Sequence, residues 1–250
     1  AMTTNTAGGT QNIAIGNYAL DALTSGDSNV AIGYNAMTTT NSGGQNTAVG
    51  NGALELHTTG VRNTAIGYVA LDANTTGDDN TALGHNSLGG NTTGTLNVAV
   101  GTSALLTSTT TGSNTAVGAN ALKLSTSGTY LTAVGAGALD TNTTGAFNTS
   151  VGAVSMDANT TGSYNTALGA AALDANTDSD NNTALGAYAL SDNSTGSENT
   201  AVGMEALKGN TTAEDNTAIG YAALKANTTA ENNVAVGARA MEANTTGASN

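Results

Sequence analysis

Cysteine, proline and tryptophan are absent from this 250-residue chain, aromatic residues make up 3% of it and charged residues 9%. Without cysteine there is no disulfide framework, thiolate metal site, iron–sulfur cluster or cysteine nucleophile. Seven Tyr and one Phe are too few for a large aromatic-filled core, and the charge content lies far below the roughly one quarter usual in globular domains. What charge there is has one sign: five Lys and Arg stand against eighteen Asp and Glu, a net charge of −13. Nucleic acid is therefore not an expected partner, because binding phosphates needs clustered cations. No run approaches the ~18 apolar residues of a membrane span, and the amino terminus lacks a charged-then-apolar leader. Membrane insertion by this segment is not expected, and the sequence reads as a mature piece on which Ala1-Met2 is a cloning remnant.

What the chain has is repetition. The pattern Asn-x-Ala-aliphatic-Gly begins at residue 12 and recurs every 17 residues up to residue 233, with Asn250 opening one more unit. Residues 1–11 form a partial unit, and 12–250 are expected to be a single β-solenoid of 14 repeats with no domain boundary, one coil per unit. With the Asn as position 1, position 2 is Thr, Val or Ile and position 4 is Ile, Val or Leu in every unit, a period-two strand pattern. Position 5 is always Gly, which suits a corner of positive φ or close backbone approach, and positions 12–15, often Asn-Thr-Thr-Gly, read as a second turn. Positions 6–11, with Ala-Leu at 8 and 9, are expected to form a second strand. The fold class is all-β, a parallel solenoid of about 14 coils.

Comparing units sorts inside from outside. Position 10 varies freely (Asp72, Gly89, Leu106, Lys123) and belongs in solvent. Alternation then turns position 9, Leu or Met throughout, inward to meet the aliphatic position 4 across a sheet spacing of about 10 Å. Positions 3 and 8 alternate outward, yet they are Ala throughout except for Ser150, Ser87 and Ser155. Two readings follow: lateral association of several chains through the Ala rows, or a flattened roll that places both rows in its own narrow interior. Asn at position 1, broken only by Leu131, is expected to form a hydrogen-bonded ladder between coils.

Residues able to carry function are few. Position 17 holds Tyr130, Phe147 and Tyr164 in successive units, beside Leu131. This stripe is a candidate contact ladder for a glycan or a protein, or else local packing over a corner. His57 and His85 fall at different unit positions with no partner at catalytic spacing and are expected at the surface. Asp78-Asp79 and Glu214-Asp215 lack the alternating acidic pattern of a calcium loop and are expected to serve solubility. Sequons such as Asn74-Thr75-Thr76 recur because the repeat recurs. No enzyme activity, metal or cofactor is expected.

The pentapeptides Asn29-Val30-Ala31-Ile32-Gly33, Asn97-Val98-Ala99-Val100-Gly101 and Asn233-Val234-Ala235-Val236-Gly237 resemble the Asn-Ser-Val-Ala-Ile-Gly signature of head repeats in YadA-type trimeric autotransporter adhesins. The remainder of the unit, as in residues 216–229, looks like repeats of phage and phage-like tail fibres. The unit length, 17 rather than about 14, departs from the adhesin pattern. The resemblance implies a left-handed β-roll in a side-by-side homotrimer, extracellular on a bacterial surface or on a virion or phage-like particle. Its implied role is to touch a host-cell surface glycan or protein, or extracellular matrix, as one module of a longer fibre. An ice-binding solenoid, suggested by Thr at positions 13 and 14, is the alternative. A polysaccharide-cleaving tailspike is a third reading, and it needs a carboxylate pair in a groove at roughly 5–10 Å.

Overall fold

The computed structural model describes residues 8–250. Ala1-Met2 and most of the partial unit 1–11 lie outside the described residues. The chain divides into two compact units, Ala1–Ser127 and Gly128–Asn250. The first contains β1 (Ile13–Ile15), β2 (Val30–Ile32), β3 (Thr47–Val49), β4 (Thr64–Ile66), β5 (Thr81–Leu83), β6 (Val98–Val100) and β7 (Thr115–Val117). The second contains β8 (Thr132–Val134), β9 (Thr149–Val151), β10 (Thr166–Leu168), β11 (Thr183–Leu185), β12 (Thr200–Val202), β13 (Thr217–Ile219) and β14 (Val234–Val236). In both units each strand pairs in parallel with its sequence neighbour, position on equivalent position, so that Thr64 faces Thr81 and Thr166 faces Thr183. The fold is an all-β solenoid with a 17-residue coil, and no helix occurs among the described residues.

Each coil has one strand, not two. Positions 2–4 are extended, whereas positions 6–11 are turns in which positions 7 and 9 take positive φ in every coil, as at Val69 (φ 46°) and Leu71 (φ 52°). The hydrogen-bond ladder nevertheless continues through them. Leu71 N–H donates to Ser87 O at 2.9 Å and Val69 N–H to Asn51 O at 2.9 Å, so the segment bonds to the coils on both sides. A bulky residue in left-handed geometry costs about 1–2 kcal/mol, and these inter-coil bonds together with the burial of Leu offset that cost.

This geometry also corrects the expected core. The alternation rule holds for extended backbone, and the positive φ at position 9 breaks it, so positions 8 and 9 both point inward. Ala65, Ala70 and Leu71 are fully buried, while Ile66 at position 4 lies on the outer face of its strand. The Ala rows therefore fill the narrow interior of the roll and are not a surface for other chains. Coil 9 shows this directly, because it has Ser at both positions: Ser150 Oγ donates to Ser155 O at 2.8 Å, and the two hydroxyls bond each other. Position 10 is half-buried rather than free in solvent, and burial raises the carboxyl pKa values of Asp72, Asp157 and Asp174.

Two asparagine rows hold the coils in register. At position 1, Asn46 Nδ2 donates to Gly60 O (3.0 Å), closing its own coil, and its Oδ1 accepts the N–H of Asn63 (2.8 Å) in the next. A second row, at position 12, was read from sequence only as a turn. There Asn91 Nδ2 donates to Asn74 Oδ1 (2.9 Å), and Asn176 Nδ2 to Asn159 Oδ1 (2.7 Å). Both rows are buried, so an amide left without partners would be costly and the register is tightly specified.

The Gly corner follows from close approach. Gly84 has φ 137°, and a Cβ there would lie 2.7 Å from the Gly101 carbonyl oxygen of the adjacent coil. Gly84→Ala is expected to lower stability by more than about 2 kcal/mol, because strain at a special φ adds to a backbone clash. Leu71→Ala, which opens a cavity, is expected to cost about 2–5 kcal/mol. Denaturant unfolding followed by circular dichroism checks both, and an unchanged midpoint for Gly84→Ala would contradict the corner geometry.

Candidate functional surfaces

The interior leaves little room for chemistry. Among the described residues no group of three His, Cys, Asp or Glu side chains is placed to hold a metal ion. Asp79 is held by Arg62 (2.6 and 2.9 Å), and Asp78 Oδ1 accepts the N–H of Val61. Asn74 of the sequon is buried and bonded to Gly77 O, so it is not accessible for glycosylation in the fold.

The aromatic stripe lies at the surface of the second unit. Tyr130, Phe147 and Tyr164 are 60%, 47% and 60% exposed, with ring centroids 5.0 Å apart and planes within 9° of parallel. Leu131 is 1% exposed and faces the interior at position 1, so it has no part in an external contact. Stacking has a consequence for ligands: the faces of Phe147 are covered by its two neighbours, which leaves its edge for contact. A sugar lying flat on the middle ring is excluded by this arrangement, whereas edge-on contact with another protein surface is open.

A wider pattern emerges from the placement of apolar side chains. Apart from Leu56 and Leu124, every large exposed hydrophobic residue among those described falls at position 17, 2, 4, 6 or 7, which are the strand and its two margins. None of the 5 basic and 18 acidic side chains falls at positions 1–6. In each unit the outer face of the strands is thus an uncharged band, with Ile66 and Leu83 in the first and Leu168 and Ile219 in the second. Tyr34 and Tyr68 line its margin in the first unit, Tyr130, Phe147 and Tyr164 in the second. The free variation of position 10 pointed attention to the opposite side of the coil. The absence of charge at positions 1–6 was the signal that could have found this band.

The Thr row at position 13 behaves differently. At position 13 the hydroxyls of Thr58, Thr75 and Thr143 donate to carbonyls of the next coil at 2.9–3.1 Å. Their protons are committed to the backbone and do not form an outward donor array.

His85 stays at the surface, stacked on Tyr68 at 5.6 Å. His57, expected there as well, is instead fully buried at position 12, where it heads the Asn74–Asn91 row. Its Nδ1 contacts Thr40 Oγ1 at 3.2 Å. Burial pulls its pKa from 6.5 down to about 4, with the Gly60 carbonyl and the Asp78 charge opposing more weakly. A folded-state pKa below the unfolded one means that stability is intact above pH 6.5 and falls as the pH drops from there towards 4. The loss reaches about 3 kcal/mol. The raised carboxyls Asp72, Asp157 and Asp174 act in the opposite direction, since their desolvation is relieved on protonation.

Two outcomes are expected. His57→Asn, which places an amide at the head of the row, should remove most of the drop in melting temperature between pH 7 and pH 4, and an unchanged pH profile would contradict the burial of His57. Phe147→Ser should cost about 1 kcal/mol, well short of the roughly 3–5 kcal/mol for a buried Phe. Chemical denaturation measures the difference.

A scan against protein-family models gives no match to this chain, and a search of curated proteins gives none either.

Proposed function

We propose that this chain is a non-catalytic structural and attachment module of an extracellular surface adhesin or phage-like tail fibre, working as a side-by-side homotrimer. The observation that carries this reading is the uncharged apolar band on the strand faces. A thin roll whose interior is filled by Ala and Leu has no need to keep charge off its outer strand face. Aliphatic side chains left half-exposed along every strand gain about 25 cal/mol per Å² when a second surface covers them. Depletion of charge and enrichment in aromatics also mark the core of protein interfaces. Association therefore runs through positions 2 and 4, not through the Ala rows, and the number three comes from the resemblance of the pentapeptides to trimeric adhesin heads. The charged residues, confined to other positions, face outward to meet a host surface or matrix. The commitment of the position 13 hydroxyls to the backbone favours this over ice binding.

Light scattering at micromolar concentration should give about three times the 24.2 kDa chain mass. Ile66→Asp combined with Leu168→Asp should return the monomer while β-type circular dichroism is retained. A monomeric wild-type chain would overturn the association, and absence of binding to any cell or matrix preparation would overturn the attachment role.

A further inference from the structure

The aromatic rings of the second unit are Tyr130, Phe147, Tyr164, Tyr188 and Tyr221, and all but one are met by a ring or a cation from the following coil. Phe147 stacks on Tyr130, and Tyr164 on Phe147. Lys208 Nζ lies 5.4 Å from the centre of the Tyr188 ring, and the Arg239 guanidinium carbon 5.7 Å from that of Tyr221. Each of these cations also stands by a carboxylate, Lys208 3.7 Å from Glu205 and Arg239 3.8 Å from Glu242. Tyr164 is the exception. Position 17 of the coil after it is Asn181, an exposed residue too short to cover a phenol ring. The stack ends there, with one face of Tyr164 uncovered and the residue 60% exposed.

Around that face stand the carboxylates of such a site without its cation. Asp180 precedes Asn181 in the chain, and Glu198 occupies position 17 one coil further on. Asp180 Oδ1 accepts the N–H of Ser163 at 2.7 Å, and Asp178 Oδ1 accepts from Thr177 Oγ1 at 3.2 Å; both donors are neutral and leave the charges in place. Positions 12–17 of the second unit hold Asp178, Asp180, Glu198, Glu214, Asp215 and Glu231, and no Lys or Arg. The three cations of this unit are engaged elsewhere, Lys208 and Lys225 at Glu205 and Arg239 at Glu242. A cation for the Tyr164 face therefore has to come from another molecule. At a ladder spacing of ~4.8 Å, a charge seated level with Asn181 lies one coil from the ring and one coil from Glu198, much as Lys208 and Arg239 lie from their rings.

We infer that the free face of Tyr164 seats an arginine or lysine side chain of a partner protein, paired with Asp180 and Glu198. Cations are drawn to the faces of aromatic rings, and this chain fills two further tyrosine faces of the same unit in that way. An uncharged ligand stacked on the ring would leave the two carboxylates unneutralised, and an anion would be repelled by them. Carboxylates recur at positions 16 and 17 in four successive coils, from Asp180 to Glu231, a span of about 14 Å at that spacing. Such a length suits an extended basic segment and exceeds the reach of a single ammonium headgroup. The inference rests on the reading of the chain as a surface-contact module and names the chemistry of the partner and the place of contact.

The test is fluorescence anisotropy of a labelled acetyl-tetra-arginine amide titrated with the full chain at physiological salt, against the uncharged tetra-citrulline peptide. The arginine peptide should bind with a millimolar or better Kd, and the citrulline peptide about tenfold more weakly. Tyr164→Ser and Asn181→Arg introduce residue types that position 17 already holds at Ser113 and Arg62, so the coil is kept. Tyr164→Ser should weaken binding about threefold or more. Asn181→Arg, whose own guanidinium takes the ring face, should weaken it about tenfold, and Glu198→Gln about twofold. Asp157→Asn, which removes a carboxylate at position 10, should leave it unchanged. Equal affinity for the citrulline peptide, unchanged binding in Tyr164→Ser, or equal loss in Asp157→Asn and Glu198→Gln would each overturn the inference. Binding of maltotriose or phosphocholine in place of the arginine peptide would overturn it as well. If wild type and Asn181→Arg attach equally well to cells, the Tyr164 contact fails while the attachment reading stands. If the peptide binds as expected but no cell or matrix surface does, the reverse holds.

Discussion

Register between coils is the constraint from which the rest follows. Most backbone groups at a given position bond to a fixed position of an adjacent coil, as Thr64 N–H does to Asn80 O and Gly67 N–H to Val49 O, both at 2.8 Å. One residue inserted into a coil would put every later group out of phase with its partner, and buried peptide groups without partners are expensive. The invariant 17-residue interval is the sequence form of that penalty. Interior side chains are constrained in the same way, because each meets a copy of itself one coil away. That suits Asn, whose amide both donates and accepts, and Ala, whose methyl stacks on a methyl. It does not suit an ionised group, which would be stacked on its like in a low dielectric.

This explains why so much of the architecture was legible in the sequence. Period, strand, Gly corner and the position 1 Asn row are all properties of equivalent positions, and comparison of units reads them directly. Side-chain direction beyond the corner was not legible. Alternation is a rule for extended backbone; at position 9, always Leu or Met, no residue type announces positive φ, and at position 7 the signal is scattered, present at Asn35, Gly52, Asn86, Asn120 and Gly137 but not at Val69 or Tyr188. Tertiary contacts impose that geometry, and with it the inward turn of positions 8 and 9 and the outward turn of position 4. The second Asn row was hidden for a related reason, since Asn-Thr-Thr-Gly is an equally good turn signal. His57 was hidden behind it, because a position taken for a surface turn gave no ground for burying an imidazole.

The candidate surfaces were less legible than the fold. The stripe of Tyr130, Phe147 and Tyr164 could be found because large rings are rare here, and the structure places all three at the surface. The uncharged strand band was missed because Thr and Val at position 2 and Ile, Val or Leu at position 4 look like ordinary strand residues. Only when the interior is seen to be filled by Ala65, Ala70 and Leu71 do the position 4 side chains become surplus to the core. That surplus of exposed aliphatic side chains, without a charge among them, is what the proposed association rests on.

The two sides of the coil differ in how far their side chains vary. On the strand side the same few side chains recur from coil to coil, Thr, Val or Ile at position 2 and Ile, Val or Leu at position 4, and a repeating apolar band of this kind suits the symmetric association proposed above. On the side of positions 10 and 11 the side chains change from coil to coil: Asp140, Asp157 and Asp174 in three coils, Lys208 and Lys225 in two others. Such variation is neutral for the backbone ladder, because these residues are only half-buried, and it lets one scaffold carry a different local surface every few coils. The same register that forbids variation inside the roll therefore permits it outside. A different local surface can arise there by substitution of a few outer residues, with no change to the coil that presents them.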